Sequence, residues 1–103
     1  MVDLQELQSQ VRARLTELLA LLERVDDKSW SKAVRAQLSQ PELDIGVIRG
    51  WYGTMGTLTD LVIMESNGHR VTDQEERAAN AELNRLRDSI ARLLEELLPP
   101  RRG

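Results

Sequence analysis

The chain has 103 residues, a net charge of -3, 41% hydrophobic and 30% charged residues, which is the size and composition of one folded domain around a single core. It contains no cysteine, so disulfides, thiolate metal sites and a cysteine nucleophile are excluded. The acidic balance argues against nucleic acid as a partner, because phosphate binding needs a concentrated basic surface.

From Val2 to Val25 the apolar residues Leu4, Leu7, Val11, Leu15, Leu18, Leu19, Leu21, Leu22 and Val25 recur at helical spacing. At about 100° per residue they cover an arc of roughly 160°, wide enough for neighbours on two flanks or for a second copy of the chain. A helix over 2–25 is predicted, and a homodimer with the first or last helix at its seam follows as an expectation. The longest apolar run, Leu18 to Leu22, falls far short of the roughly 20 residues that span a membrane. The acidic start at Asp3 and Glu6 lacks the positive charge of a secretory signal, so a cytoplasmic protein with no membrane partner is expected.

Asp26-Asp27-Lys28-Ser29 offers N-cap residues, after which Trp30, Val34 and Leu38 repeat at i, i+4, i+8 and predict a helix over 28–39. Pro41 is suited to the first position of a third helix over 41–51, whose apolar face carries Leu43, Val47, Ile48 and Trp51. Gly46 and Gly50 weaken it by roughly 1 kcal/mol each relative to Ala. They either admit a neighbouring backbone or begin the helix exit. Thr72 and Glu75 match a capping box, and Ala79, Leu83, Leu86, Ile90, Leu93, Leu94 and Leu97 continue a helix over 73–98. Pro99 and Pro100 stop it, leaving 99–103 as a frayed tail. The prediction is one all-α domain over 1–103: a four-helix array with two long antiparallel terminal helices, two short ones and a Gly-rich central loop.

That loop, Trp51 to His69, holds the only Tyr, the only His and half of the Gly residues. Thr57 and Asp60 fit a capping pattern that favours a short helix over 58–64, whereas Val62, Ile63 and the Asn67-Gly68 turn signal allow a strand. Gly53 and Gly56 suit a tight turn around Met55. The Gly spacing fits neither a P-loop nor a dinucleotide fingerprint. No metal site is expected, since one His with Asp60 and Glu65 lacks the paired-His spacing of a strong zinc motif. The lone His69 has no recognisable nucleophile beside it, so no catalytic residue and no cofactor is assigned.

The run Tyr52 to Val62, followed by Asn67-Gly68-His69 and a helix with Asn80, Leu83 and Leu86, resembles a small bacterial family of unknown function (DUF6966-like). The family's recurring core reads Tyr-Gly-Gly-Met-Gly-Ser-x-Asn-Asp-Leu-Val. Tyr52, Gly53, Met55, Gly56, Asp60, Leu61 and Val62 match it, while Thr54, Thr57 and Thr59 replace Gly, Ser and Asn. The resemblance implies no activity; some members resemble immunity proteins encoded beside bacterial toxins.

The expected function is a non-catalytic protein-interaction or regulatory module, immunity-like in one version. Its binding residues are Trp51, Tyr52, Gly53, Met55, Gly56, Asp60 and His69, since Trp, Tyr and Met are enriched at interface cores. The alternative is a small-ligand or enzymatic site in which Tyr52, Asp60 and His69 converge. The simplest reading of the polar pair is structural, with Asp60 capping a turn and His69 bonding backbone.

Overall fold

The computed structural model describes residues 3–53 and 57–97. Four α-helices follow in chain order: α1 (Leu4–Arg24), α2 (Lys28–Leu38), α3 (Ile45–Gly50) and α4 (Asp73–Leu97). Two 3-10 turns, Leu58–Asp60 and Glu65–Asn67, lie between α3 and α4, and no strand occurs among the described residues. The protein is all-α, with its two long helices packed on each other.

α1 begins where the Asp3 carboxylate accepts the N–H groups of Gln5 and Glu6, satisfying donors that the first turn leaves free. Its buried stripe, Leu7, Val11, Leu15, Leu18, Leu21 and Leu22, packs against α4 on one flank and α2 on the other. The wide apolar arc is therefore covered within the chain, although Leu4 stays 58% exposed. Ion pairs Arg24–Glu82 and Arg85–Glu17 show that α4 runs antiparallel to α1, since moving back along α1 moves forward along α4.

The exit from α1 is tight. Asp26 adopts the left-handed conformation (φ 60°), with its N–H on the Glu23 carbonyl and the Asp27 N–H on the Leu22 carbonyl at 2.8 Å. This paired arrangement closes a helix C-terminus, and Asp tolerates the left-handed position better than most residues. Asp27 then caps α2 by accepting the Trp30 N–H at 2.8 Å.

α3 starts at Ile45, four residues later than Pro41 suggested. The cap is Asp44, which accepts the Val47 N–H at 3.1 Å, while the Asp44 N–H goes to the buried side chain of Gln37 at 2.9 Å. Arg12 of α1 draws the carbonyls of Leu38, Gln40 and Pro41 onto its guanidinium at 3.0–3.4 Å, and so holds the linker as a turn. Neither glycine of α3 admits a backbone: a Cβ on Gly46 would meet only the Asp44 side chain, and one on Gly50 would meet nothing within 4 Å. Gly50 is simply the last residue of the helix.

α4 opens on the expected capping box. The Glu75 N–H donates to the Thr72 hydroxyl, and the Thr72 N–H and hydroxyl both donate to the Glu75 carboxylate. Those bonds hold the exposed Glu75 carboxyl below its usual pKa, so the cap's contribution is present above the unfolded value and fades as pH falls through the folded one. Ala79, Leu83, Leu86, Ile90 and Leu94 form the buried face. Residue 98 and the proposed tail 99–103 lie outside the described residues.

The central segment is neither the helix over 58–64 nor the strand that the sequence allowed. A 3-10 turn at Leu58–Asp60 gives way to extended backbone at 61–64 without a strand partner. The extended backbone is bonded to side chains of α4. Asn80 acts like the neighbouring strand: its Oδ1 accepts the Ile63 N–H at 2.8 Å and its Nδ2 donates to the Ile63 carbonyl at 2.7 Å. Arg87 donates to the carbonyls of Leu58, Thr59 and Leu61 at 2.8–3.1 Å. Asn80 and Arg87 are seven residues apart, hence on one face and about 10 Å apart along the axis. Leu58 and Ile63 are fully buried as a result.

Replacing Asn80 with Ala would leave both backbone groups of buried Ile63 unpaired at about 1–3 kcal/mol each in the limit of no relaxation. We expect a urea midpoint clearly below that of the wild type, with circular dichroism retaining the helical signal.

Candidate functional site

The segment 51–72 carries the residues that the sequence singles out. Trp51 is the C-cap of α3 and meets Trp30 of α2 edge to face, with ring centroids 5.8 Å apart at 77°. This geometry suits the ring quadrupoles and ties the two short helices together. Tyr52 is half-buried, and its hydroxyl donates to the Arg87 backbone carbonyl at 2.9 Å. Burial pushes its phenol pKa well above the ordinary 10.0, more than the Arg87 guanidinium lowers it, and Asp88 adds to the rise.

Gly53 is exposed, and its carbonyl accepts the Thr57 hydroxyl at 3.4 Å. A Cβ there would touch the Gly50 carbonyl and the Thr57 methyl at 3.4 Å, so the position is close-fitting. Met55 and Gly56, with the turn expected around them, lie outside the described residues. Asp60 is exposed and accepts the Thr57 N–H at 3.4 Å, the turn-capping role that the simplest reading gives it.

His69 is the buried polar centre of the segment, at 6% exposure. Its Nε2 lies 2.7 Å from Oδ2 of Asp27, a residue 42 positions earlier in the chain. Its Nδ1 faces the Met64 backbone, 3.2 Å from the N–H and 3.3 Å from the carbonyl oxygen, so both ring nitrogens are engaged. The backbone bond from Arg70 N–H to the Val25 carbonyl, at 2.7 Å, reinforces the same junction. The turn leading into it is a 3-10 turn at Glu65–Asn67, closed by Gly68 at φ 87° with its N–H on the Glu65 carbonyl. That backbone conformation is why glycine follows Asn67.

Asp27 therefore serves three elements: its backbone closes α1, one carboxylate oxygen starts α2, and the other holds His69. Tyr52, Asp60 and His69 engage the Arg87 carbonyl, the Thr57 N–H and Asp27 respectively, so the three do not share a partner. Among the described residues no group of three or more His, Cys, Asp or Glu is placed to hold a metal ion. No described helix is long and apolar enough to cross a membrane.

Sequence reading missed Asp27 as the partner of His69, and Arg87 and Arg12 as carbonyl clamps. The available signal was the pair Asn80 and Arg87, polar residues seven apart beside the buried stripe Ala79, Leu83, Leu86 of α4. A long polar side chain recurring next to a core stripe marks where a segment without its own ladder is held.

Residues 23–72 match the model of a domain of unknown function, DUF6966, and over that stretch the chain is DUF6966-like. The match runs from the end of α1 through the central segment, including Asp27 and His69, and stops before α4. No curated protein and no solved structure matches the chain.

Replacing Asp27 with Ala would lose a cap worth about 0.5–2 kcal/mol. It would also leave the buried His69 Nε2 without a partner, at about 1–3 kcal/mol. We expect a large fall in Tm by calorimetry, and a smaller one for Asp27→Asn, whose amide oxygen can still accept the Trp30 N–H.

Tyr52 supplies a pH test. A folded pKa raised above the unfolded one gives stability that is complete below the unfolded value and lost as pH rises through the folded value. Urea unfolding from pH 8 to beyond 10 should therefore show wild type losing more stability than Tyr52→Phe, and the two converging.

Proposed function

We propose that this DUF6966-like chain is a non-catalytic, protein-binding module acting in the cytoplasm, with its partner surface at the exit of α3. The observation that carries the reading is Val47, 48% exposed one helical turn before the half-buried Trp51 and Tyr52. Aromatic residues beside an exposed aliphatic one are the usual material of an interface centre, where a partner completes their burial. The polar groups of the same segment favour this over a ligand site. The Tyr52 hydroxyl and the His69 ring are engaged in holding the chain beneath the aromatic surface, and Asp60 caps the Thr57 turn.

An immunity-like role suits such a module, since neutralising another protein needs a preformed surface and no chemistry.

The test is crosslinked affinity purification from the source cells with wild type, Val47→Asp and Asp60→Asn. A partner retained by wild type and Asp60→Asn but lost by Val47→Asp supports the surface. Loss with Asp60→Asn, and none with Val47→Asp, contradicts it.

A further inference from the structure

One concavity of the described chain shares no lining residue with the α3 exit. It is an open groove of about 840 Å³ between α1 and α4, floored by short or uncharged side chains such as Ser9, Gln10, Ala13 and Ser89. Its charged lining consists of Glu6 and Arg14 on α1 and of Arg85, Asp88, Arg92 and Glu96 on α4. These six are arranged with a sign rule. On α1, Glu6 and Arg14 lie four residues either side of Gln10 and are opposite in charge. On α4, Arg85 and Glu96 flank the level of Ile90, as do Asp88 and Arg92, and each pair is again opposite. Because α1 and α4 are antiparallel, the levels of Gln10 and Ile90 coincide to within about a helical turn.

A two-fold axis lying in the plane of the groove mouth and perpendicular to the helices at that level reverses both helices. It would set α1 on α1 and α4 on α4 of a second copy. Every charge in the lining then faces its opposite: Glu6 faces Arg14, Arg85 faces Glu96, and Asp88 faces Arg92, each contact made twice. The residues nearest the axis, which must face their own copies, are uncharged. We propose that this groove is an isologous homodimer interface whose occupant is a second copy of the chain, forming a four-helix layer of two α1 and two α4 helices.

Two features of the groove support the second copy over other occupants. A heterologous partner needs no antisymmetry in the groove, whereas a self-paired surface needs every residue to satisfy its own image. Asp88, Arg92, Glu6 and Glu96 also enter no ion pair among the described residues, and Glu17 alone offsets both Arg14 and Arg85 at the basic end. The proposal is independent of the α3 surface.

The charges supply the test. Arg85→Glu and Glu96→Arg are made separately, with circular dichroism checking the fold. Asp88→Arg and Arg92→Asp form a second set should either of the first pair fold poorly. In sedimentation equilibrium up to roughly 100 μM, wild type should reach twice the 11.7 kDa of the chain. Each single variant alone should associate at least about tenfold more weakly, because two repulsive contacts replace two attractive ones. An equimolar mixture of Arg85→Glu with Glu96→Arg should recover the dimer, since each contact again joins opposite charges. A monomeric wild type, variants that dimerise as wild type does, or a mixture that stays monomeric would each overturn the proposal.

Discussion

The segment between α3 and α4 buries Leu58 and Ile63 completely while forming no α-helix and no sheet. Backbone that enters a core must have its N–H and C=O groups bonded, and here the regular ladder that usually does this is missing. Side chains of the helices supply the bonds. Asn80 pairs with both polar groups of Ile63, Arg87 takes the carbonyls of Leu58, Thr59 and Leu61, and Asp27 fixes His69. The placement of α3, of Trp51 and Tyr52, and of the chain leading into α4 depends on these bonds, because few apolar residues of the segment are deeply buried.

Arg87 shows how closely the parts are coupled. Its guanidinium holds the 58–61 turn, its backbone carbonyl accepts the Tyr52 hydroxyl, and its other terminal nitrogen bonds Asn84 one turn earlier. Arg12 does the equivalent work on the α2–α3 linker. Arginine suits this role because its planar fork presents several donors in fixed directions to carbonyls that no single N–H could reach together. A helical scaffold of this kind holds an irregular segment through side-chain bonds in place of a backbone ladder.

Much of this was legible in the sequence where the determining contacts are local. The leucine stripes of α1 and α4, the Trp30–Val34–Leu38 repeat and the Thr72–Glu75 box are all read within four residues, and all lie where the pattern put them. The start of α3 was not legible, because Arg12, 26 to 29 residues away, overrides the helix-starting preference of Pro41. The state of 58–64 was hidden for the same reason, its partners being 17 to 29 residues distant. Local spacing offered Asp60 as the companion of His69, whereas the fold gives it Asp27, which had already been read as a helix cap. The sign rule of the α1–α4 groove is present in the sequence too, but it has meaning only once the two helices are known to face the same cleft.

The central claim is that side chains of the helices, and not a backbone ladder, hold the central segment at the stability of the core. Native-state amide hydrogen exchange measures this directly, residue by residue. The amides of Ile63, Met64 and Arg70, bonded to Asn80, His69 and the Val25 carbonyl, should exchange only on global unfolding, with the protection of Leu83 and Leu86 in α4. Exchange of those three amides at rates near those of an unstructured chain, while α4 remains protected, would contradict the account.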